Sequence, residues 1–445
     1  LASVCMQNQL FSMGLQLFEW IGKKKEHDAS SLYQEGICLR RLGKLKRARK
    51  SLLECVRLKP AATASYMQLG HVHRSMADLE GAAQYYKKFI SLSKTERGTG
   101  YWCLADLKSY EFSHDEIGAM HQELAAYANN LPQLSALFFA LGAAAEKRGD
   151  YSESIDNYRK GNDIQSKLRP FDAETYARTV AGLKSIATEG ALGKSDKKPV
   201  ALLIVGLPRS GTTLIEHILS AHSRVQATDE LPFLDKIARQ LETGRGYPAS
   251  LFSLTDKESS SLRRQYVEES SEYLQGETDY FIDKNPENFL HIGLVKRMMP
   301  ESIIIDARRD PRDVAISAYR QLFNARNEFA SSFAGIYEYC KGYLAMINHW
   351  KQVYPGQIRT VHYERLVTSP ENEIRSLLEF CGLEPEPGCF EPHKQKRAVM
   401  TPSVGNVMKP IFTTSIGQWQ NFDAFASEEL SRLATLIEED PAPAT

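Results

Sequence analysis

The sequence predicts an α-helical repeat array followed by an α/β domain with a mostly parallel sheet and helices on both faces. Three observations predict it. A 34-residue period runs through the first third of the chain. An apolar run, Pro199 to Val205, ends in glycine and then in a helical pattern. A second apolar run, Ser302 to Asp306, leads into Arg308-Arg309-Asp310-Pro311-Arg312-Asp313. A length of 445 residues calls for two or three domains. They are placed at 1–165 (helical repeats), 166–197 (helical connector and linker), 198–435 (α/β domain) and 436–445 (tail).

In the array, Gly36 and Gly70 are 34 apart, and so are Ala48 and Ala82, Leu42 and Met76, and Leu58 and Leu92. Leu32, Gly36, Leu39, Ala48, Leu52 and Cys55 recur at helical spacing, which describes two antiparallel helices with Gly43-Lys44 in the turn and Pro60 at the exit. The small residues Gly36 and Ala48 let the pair approach closely. Phe138, Leu141, Gly142, Ser154 and Tyr158 mark a further unit turning at Gly149-Asp150, and Tyr101 to Ala105 a degraded one between. Gly14, 34 before Ala48, marks a partial unit ahead. This pattern resembles a tetratricopeptide array, which implies a surface for peptides or for a neighbouring domain, and no chemistry of its own. The polar stretch Gly190 to Lys198 reads as the linker that ends it.

Composition narrows the function. Lysine plus arginine (55) equals aspartate plus glutamate (55), so no bulk positive field exists to hold nucleic acid or an anionic membrane. No apolar run reaches the roughly 18 residues needed to span a bilayer. Seven scattered cysteines without a C-x-x-C pair argue against a disulfide framework or structural zinc and favour a reducing, cytoplasmic setting. The chain opens on Leu1, which predicts a segment upstream.

Gly206-Leu-Pro-Arg-Ser-Gly211-Thr212-Thr213 follows the first apolar strand and opens the helical pattern Leu214, Ile215, Ile218, Leu219. Strand, glycine loop and helix N-terminus form an anion cradle. The glycine spacing is that of G-x-x-x-x-G-K-[ST], but Thr212 stands where the lysine of a nucleoside-triphosphate loop belongs. A loop with Arg209 and the hydroxyls of Ser210, Thr212 and Thr213 suits a smaller anion held without metal. Pro208 to Leu214 resembles the phosphosulfate loop of sulfotransferases that use 3′-phosphoadenylyl sulfate, nearest to the tyrosylprotein type. The resemblance implies donor contacts at Arg209, Ser210, Gly211, Thr212 and Thr213.

A donor with a separate 3′-phosphate needs a second basic site. Arg309 and Ser317, on the helix that Pro311 opens, resemble the family's 3′-phosphate motif; guanidinium grips two oxygens at once. Arg320 is the nearest match to a further family arginine, one position off. His362-Tyr363-Glu364-Arg365-Leu366 resembles the family's Y-E-x-L segment, which puts Tyr363 by the nucleotide. Ser403 to Ile411, with Lys409, and Trp419 resemble the loop and tryptophan that close over the donor.

The resemblance further implies Glu230 as general base, Lys284 supporting the leaving oxygen, Ser403 at the transition state and Arg209 over the sulfuryl oxygens. His217, His222 and His393 are alternative bases, and Asp229 adjoins Glu230. The implied reaction moves sulfuryl from 3′-phosphoadenylyl sulfate to a hydroxyl, releasing adenosine 3′,5′-bisphosphate, with no metal. One departure matters: tyrosylprotein enzymes carry an arginine two residues past the glutamate, where this chain has Pro232. Protein tyrosine, sugar and small alcohol therefore all stay open as acceptors, and the repeats either recruit a polypeptide or pack on the catalytic domain. The rival readings are a degenerate nucleotide kinase or NTPase, and a repeat scaffold with a non-catalytic nucleotide domain.

Overall fold

The computed structural model describes residues 5–6, 10–24, 28–185, 197–323, 326–395 and 404–438. Ser403 and most of the polar linker, 190–196, lie outside the described residues. The chain divides into two compact units: Leu1–Ile164 with Lys396–Met408, and Gln165–Gln395 with Lys409–Thr445.

The first unit is built of helix pairs. Ala29–Arg41 with Leu45–Leu58 and Thr63–Ser75 with Leu79–Leu92 form two of them. Arg97–Ala105 with His114–Ala126 makes the irregular third, and Leu131–Lys147 with Tyr151–Leu168 the fourth; Phe11–Lys24 precedes them all. Closeness within a pair has one recurrent cause. A Cβ on Gly36 would lie 2.6 Å from Leu52 Cγ, on Gly70 2.3 Å from Tyr86 Cε1, and on Gly142 2.9 Å from Tyr158. In each pair the glycine faces the residue sixteen positions on (36 to 52, 70 to 86, 142 to 158), so one missing side chain admits one large one. The turns need left-handed backbone. Gly43 supplies it at φ +68°, and 34 residues later Ala77 adopts φ +61°.

The second unit carries five parallel strands in the order β2-β3-β1-β4-β5. They are β1 Val200–Gly206, β2 Val225–Ala227, β3 Tyr280–Lys284, β4 Ile303–Arg308 and β5 Ile358–His362. Ala201 to Val205 are 0% exposed, which is why β1 reads as an unbroken apolar run: a central parallel strand is covered on both faces. One face packs on Ile215, Ile218 and Leu219 of Thr212–Leu219 and on Ile374, Leu377 and Leu378 of Pro370–Phe380. On the opposite side Tyr343, in Phe333–Val353, bonds Asp306 of β4, and Trp350 Nε1 donates to Phe289 O at 3.0 Å.

Two of the strands, β2 from Val225 and β3, were not foreseen in the sequence. Within the stretch set aside as connector, Ala173–Lys184 belongs to the second unit, where Tyr176 stacks on Tyr339 at 4.9 Å and donates to Tyr339 O at 3.1 Å. Among the described residues no helix is long and apolar enough to cross a membrane.

Candidate active site

The strand order reverses at β1. The chain runs from β1 to the edge strand β2, comes back to β3 beside β1, then crosses to β4 on the other side of β1. Ligands of open α/β sheets sit at such a switch point, beyond the carboxyl ends of the strands. Gly206 and Ala307 are in register there, so the loop after β1 and the loop after β4 leave the sheet side by side.

The first loop is tight. Arg209 sits at φ +75°, a left-handed conformation uncommon for a residue with a side chain, and Gly211 at φ +100°. A Cβ on Gly211 would lie 2.8 Å from Tyr363 Cδ2, so only glycine fits against that ring. Thr212 and Thr213 open the following helix and are buried.

The two arginine loops are tied together. Arg209 Nε donates to Ser317 Oγ at 3.0 Å, and Arg309 Nη1 to Arg209 O at 3.2 Å. Arg309 also donates to Ser415 O, lies 3.4 Å from Asp313 and sits over the Tyr363 ring at 4.7 Å. Asp310 caps the helix Pro311–Tyr319 by accepting from Arg312 N at 2.9 Å; Asp313 and Ser317, one turn apart, then face the arginines. Asp313 also accepts from Gly417 N and Trp419 N at 2.8 and 3.0 Å, which pins the 415–419 segment here. The Trp419 ring lies under the Arg312 guanidinium at 4.0 Å. Ser210 Oγ and Arg309 Nε are buried without a hydrogen-bond partner among the described residues. An oxyanion beside each would supply the missing partner.

One strand over, Thr228 Oγ1 donates to Ile282 O at 2.7 Å and Lys284 N to Asp229 O at 3.2 Å. These bonds hold Asp229 at φ +61° and deliver Glu230 to Lys284, whose Nζ donates to Glu230 Oε1 at 2.7 Å. Lys284 is fully buried, while the Glu230 side chain is 54% exposed. Glu216, on the loop helix, lies 4.0 Å from the same ammonium. Burial alone would lower the Lys284 pKa, but the carboxylates of Glu230, Glu216 and Asp229 outweigh it and hold it above the ordinary lysine value. Glu364, whose carboxylate accepts from Asp310 N at 2.9 Å, has its pKa raised chiefly by burial.

The fold therefore gathers Arg209, Ser210, Gly211, Thr212, Thr213, Arg309, Ser317 and Tyr363 at one switch point, with Glu230 and Lys284 paired on the neighbouring strand. Lys409 is exposed, and the Arg320 guanidinium lies over the Phe422 ring at 5.4 Å. His217 and His222 are buried, His222 Nε2 within 3.1 Å of Glu384 O. His393 lies in the short helical turn Pro392–Lys394. Sequence reasoning missed Asp313, Glu216 and Asp283. Asp313 alone carried a signal, being four residues past Arg309 on the same helical face.

Residues 200–387 match the sulfotransferase family, and residues 29–61 and 63–96 each match the tetratricopeptide repeat. A protein of Aquifex aeolicus (strain VF5) with no characterised function is 28% identical over 82% of this chain, and the match spans 49% of that protein's length. A putative protein-tyrosine sulfotransferase of Caenorhabditis briggsae is 26% identical, covering 52% of this chain and 84% of its own. The mouse heparan sulfate glucosamine 3-O-sulfotransferase 3B1 is 25% identical, covering 43% of this chain and 48% of its own. Residues 200–387, which carry the switch-point loops, thus match the sulfotransferase family, with tetratricopeptide-repeat matches ahead of them.

Proposed function

We propose that the chain moves the sulfuryl group of 3′-phosphoadenylyl sulfate to an acceptor hydroxyl, releasing adenosine 3′,5′-bisphosphate, with Glu230 as general base and no metal. The observation that carries this reading is the joining of two cationic loops at one switch point through Arg209–Ser317 and Arg309–Arg209. A ligand with anionic groups at two separated ends matches two such loops better than a single phosphate does.

In this reading the amides of Gly211 to Thr213, with Ser210 Oγ and Arg209, hold the phosphosulfate end. Arg309 and Ser317 hold the 3′-phosphate, Tyr363 and Trp419 flank the nucleotide, and Ser403 and Lys409 complete the donor site. The acceptor oxygen forms a bond to sulfur as the bridging sulfur–oxygen bond to the 5′-phosphate breaks, and that electron pair stays on the phosphate. Glu230 takes the acceptor's proton. Lys284 can turn an N–H from Glu230 Oε1 toward the leaving oxygen, which frees the carboxylate to act. Positioning and fixed charge supply the catalysis, as in phosphoryl transfer.

The relatives' names span a protein tyrosine and a sugar, and Pro232 removes the arginine of the tyrosylprotein pattern, so the acceptor is a hydroxyl of either class. A polypeptide brought by the repeats is the partner this favours. The seven unpaired, buried cysteines support a cytoplasmic setting. The experiment is calorimetric titration with adenosine 3′,5′-bisphosphate in EDTA, followed by an acceptor screen with sulfur-35-labelled donor. Binding without metal and labelled ester support the reading. ATP hydrolysis in magnesium without bisphosphate binding would replace it with a nucleoside-triphosphate enzyme.

A further inference from the structure

Glu216 is a buried acid that the reaction above leaves without a task. It is the one acidic residue of the loop helix Thr212–Leu219, and it is 1% exposed. Strand register brings it to Lys284. Ile204 of β1 stands beside Lys284 of β3, and side chains two apart on a strand share a face, so Lys284 points where Ile282 does. Ile282 lies in one core cluster with Ile215 and Ile218 of the loop helix. The Glu216 carboxylate accordingly comes within 4.0 Å of the Lys284 ammonium. A carboxylate in the helix whose N-terminus cradles an anion is costly twice, since it is taken out of water and it repels that anion. An apolar residue would carry neither cost.

Lys284 thus has carboxylate neighbours of two kinds. Glu230, at 2.7 Å, is 54% exposed and faces the acceptor in the reading above. Its charge changes during the reaction, because it takes the acceptor's proton and becomes neutral. Glu216, shut off from solvent, does not exchange that proton. At that moment Lys284 must be an ammonium to support the leaving oxygen, and burial drives a lysine without an acid beside it to shed its proton.

We propose that Glu216 is a positioning residue for the transfer: its carboxylate keeps Lys284 an ammonium while Glu230 turns neutral. The inference rests on the donor reading above. Burial lowers the Lys284 pKa, and Glu230, Glu216 and Asp229 together outweigh it. Asp283, next on the strand, belongs to the opposite face, where its carboxylate accepts from Tyr266 at 2.7 Å.

The test compares the full chain with Glu216→Gln, which keeps the shape and removes the charge, and with Glu216→Asp, which keeps the charge on a shorter arm. Circular dichroism melts establish folding. Affinity for adenosine 3′,5′-bisphosphate, whose 5′-phosphate carries the leaving oxygen, is followed by calorimetry across pH and needs no acceptor. In E216Q the alkaline fall of affinity should begin about 1–3 pH units below that of the wild type, the shift an opposite charge at this distance produces. The loss should appear only at the alkaline end, because the removed charge repelled the phosphates. The alkaline limb of kcat/KM, with an acceptor from the screen above, should move in the same direction. E216D should show a smaller move of the same sign, and it carries the test if E216Q does not fold. Affinity profiles that superimpose on the wild type, or a loss that is equal at every pH, overturn the inference alone. A wild-type chain that binds no bisphosphate at any pH overturns the donor reading, and the inference with it.

Discussion

Glu230→Gln separates chemistry from binding. Glutamine keeps the shape and can still accept from Lys284 Nζ through Oε1, where the present contact is 2.7 Å. The buried ammonium keeps a charged neighbour in Glu216 at 4.0 Å, a gross attraction of about 4 kcal/mol at an effective dielectric of ~20. Lys284 therefore stays protonated. Because Glu230 is 54% exposed, its own pairing is screened, and losing it should cost only about 1 kcal/mol of stability. A lost general base lowers kcat by ~10²- to 10⁴-fold, or about 3–5 kcal/mol of barrier. Single-turnover assays with labelled donor measure the first effect, thermal melts the second, and bisphosphate titration shows whether binding is spared. A kcat within about tenfold of wild type, or a loss matched by weaker bisphosphate binding, refutes the assignment.

Arg309→Lys cannot reach Arg209 O and Ser415 O together from one ammonium, and should weaken bisphosphate binding by ~10- to 100-fold, or about 1.5–3 kcal/mol; wild-type affinity in that variant would remove Arg309 from the site. Asp283, fully buried against Tyr266 at 2.7 Å, has its pKa pushed up to about 7 by burial. Its folded form holds the proton more tightly than an unfolded carboxyl near ~3.9 does, so it stabilises most below that value and the contribution is lost as pH rises through about 7. Asp283→Asn should flatten the fall of the unfolding free energy between pH 5 and 8, followed by chemical denaturation, by up to about 3 kcal/mol; an unchanged slope sinks this account. Glu287, also pushed up to about 7, keeps part of the slope. Gly70→Ala drives a methyl to 2.3 Å from the fixed Tyr86 ring and should cost about 1–3 kcal/mol by chemical denaturation. Gly36→Ala meets the more adaptable Leu52 and should cost less; equal losses would argue against the packing explanation.

The motifs were readable because backbone requirements wrote them. Gly206, Gly211 and the apolar β1 are dictated by a buried parallel strand turning into a helix, and Pro311 starts its helix where expected. The repeat period was legible because each close approach needs a small residue opposite a large one. Spatial pairings were not. Nothing local in the sequence says that Lys284 meets Glu216, or that Asp313 holds both Arg309 and the 415–419 backbone, since those contacts arise from strand order. β3 went unrecognised because Asp283 and Lys284 interrupt its apolar pattern; their charges are balanced only by distant partners. The left-handed corners at Arg209 and Asp229 were equally hidden, because glycine is the usual resident of such backbone.

Those two corners have an evolutionary consequence. A left-handed residue bearing a side chain costs roughly 1–2 kcal/mol, and glycine would relieve it. Selection for heat tolerance alone should therefore drift toward glycine at 209 and 229, yielding hardier but idle descendants. Sequences that retain arginine and aspartate at these corners are being policed for what they do, not for how firmly they hold together.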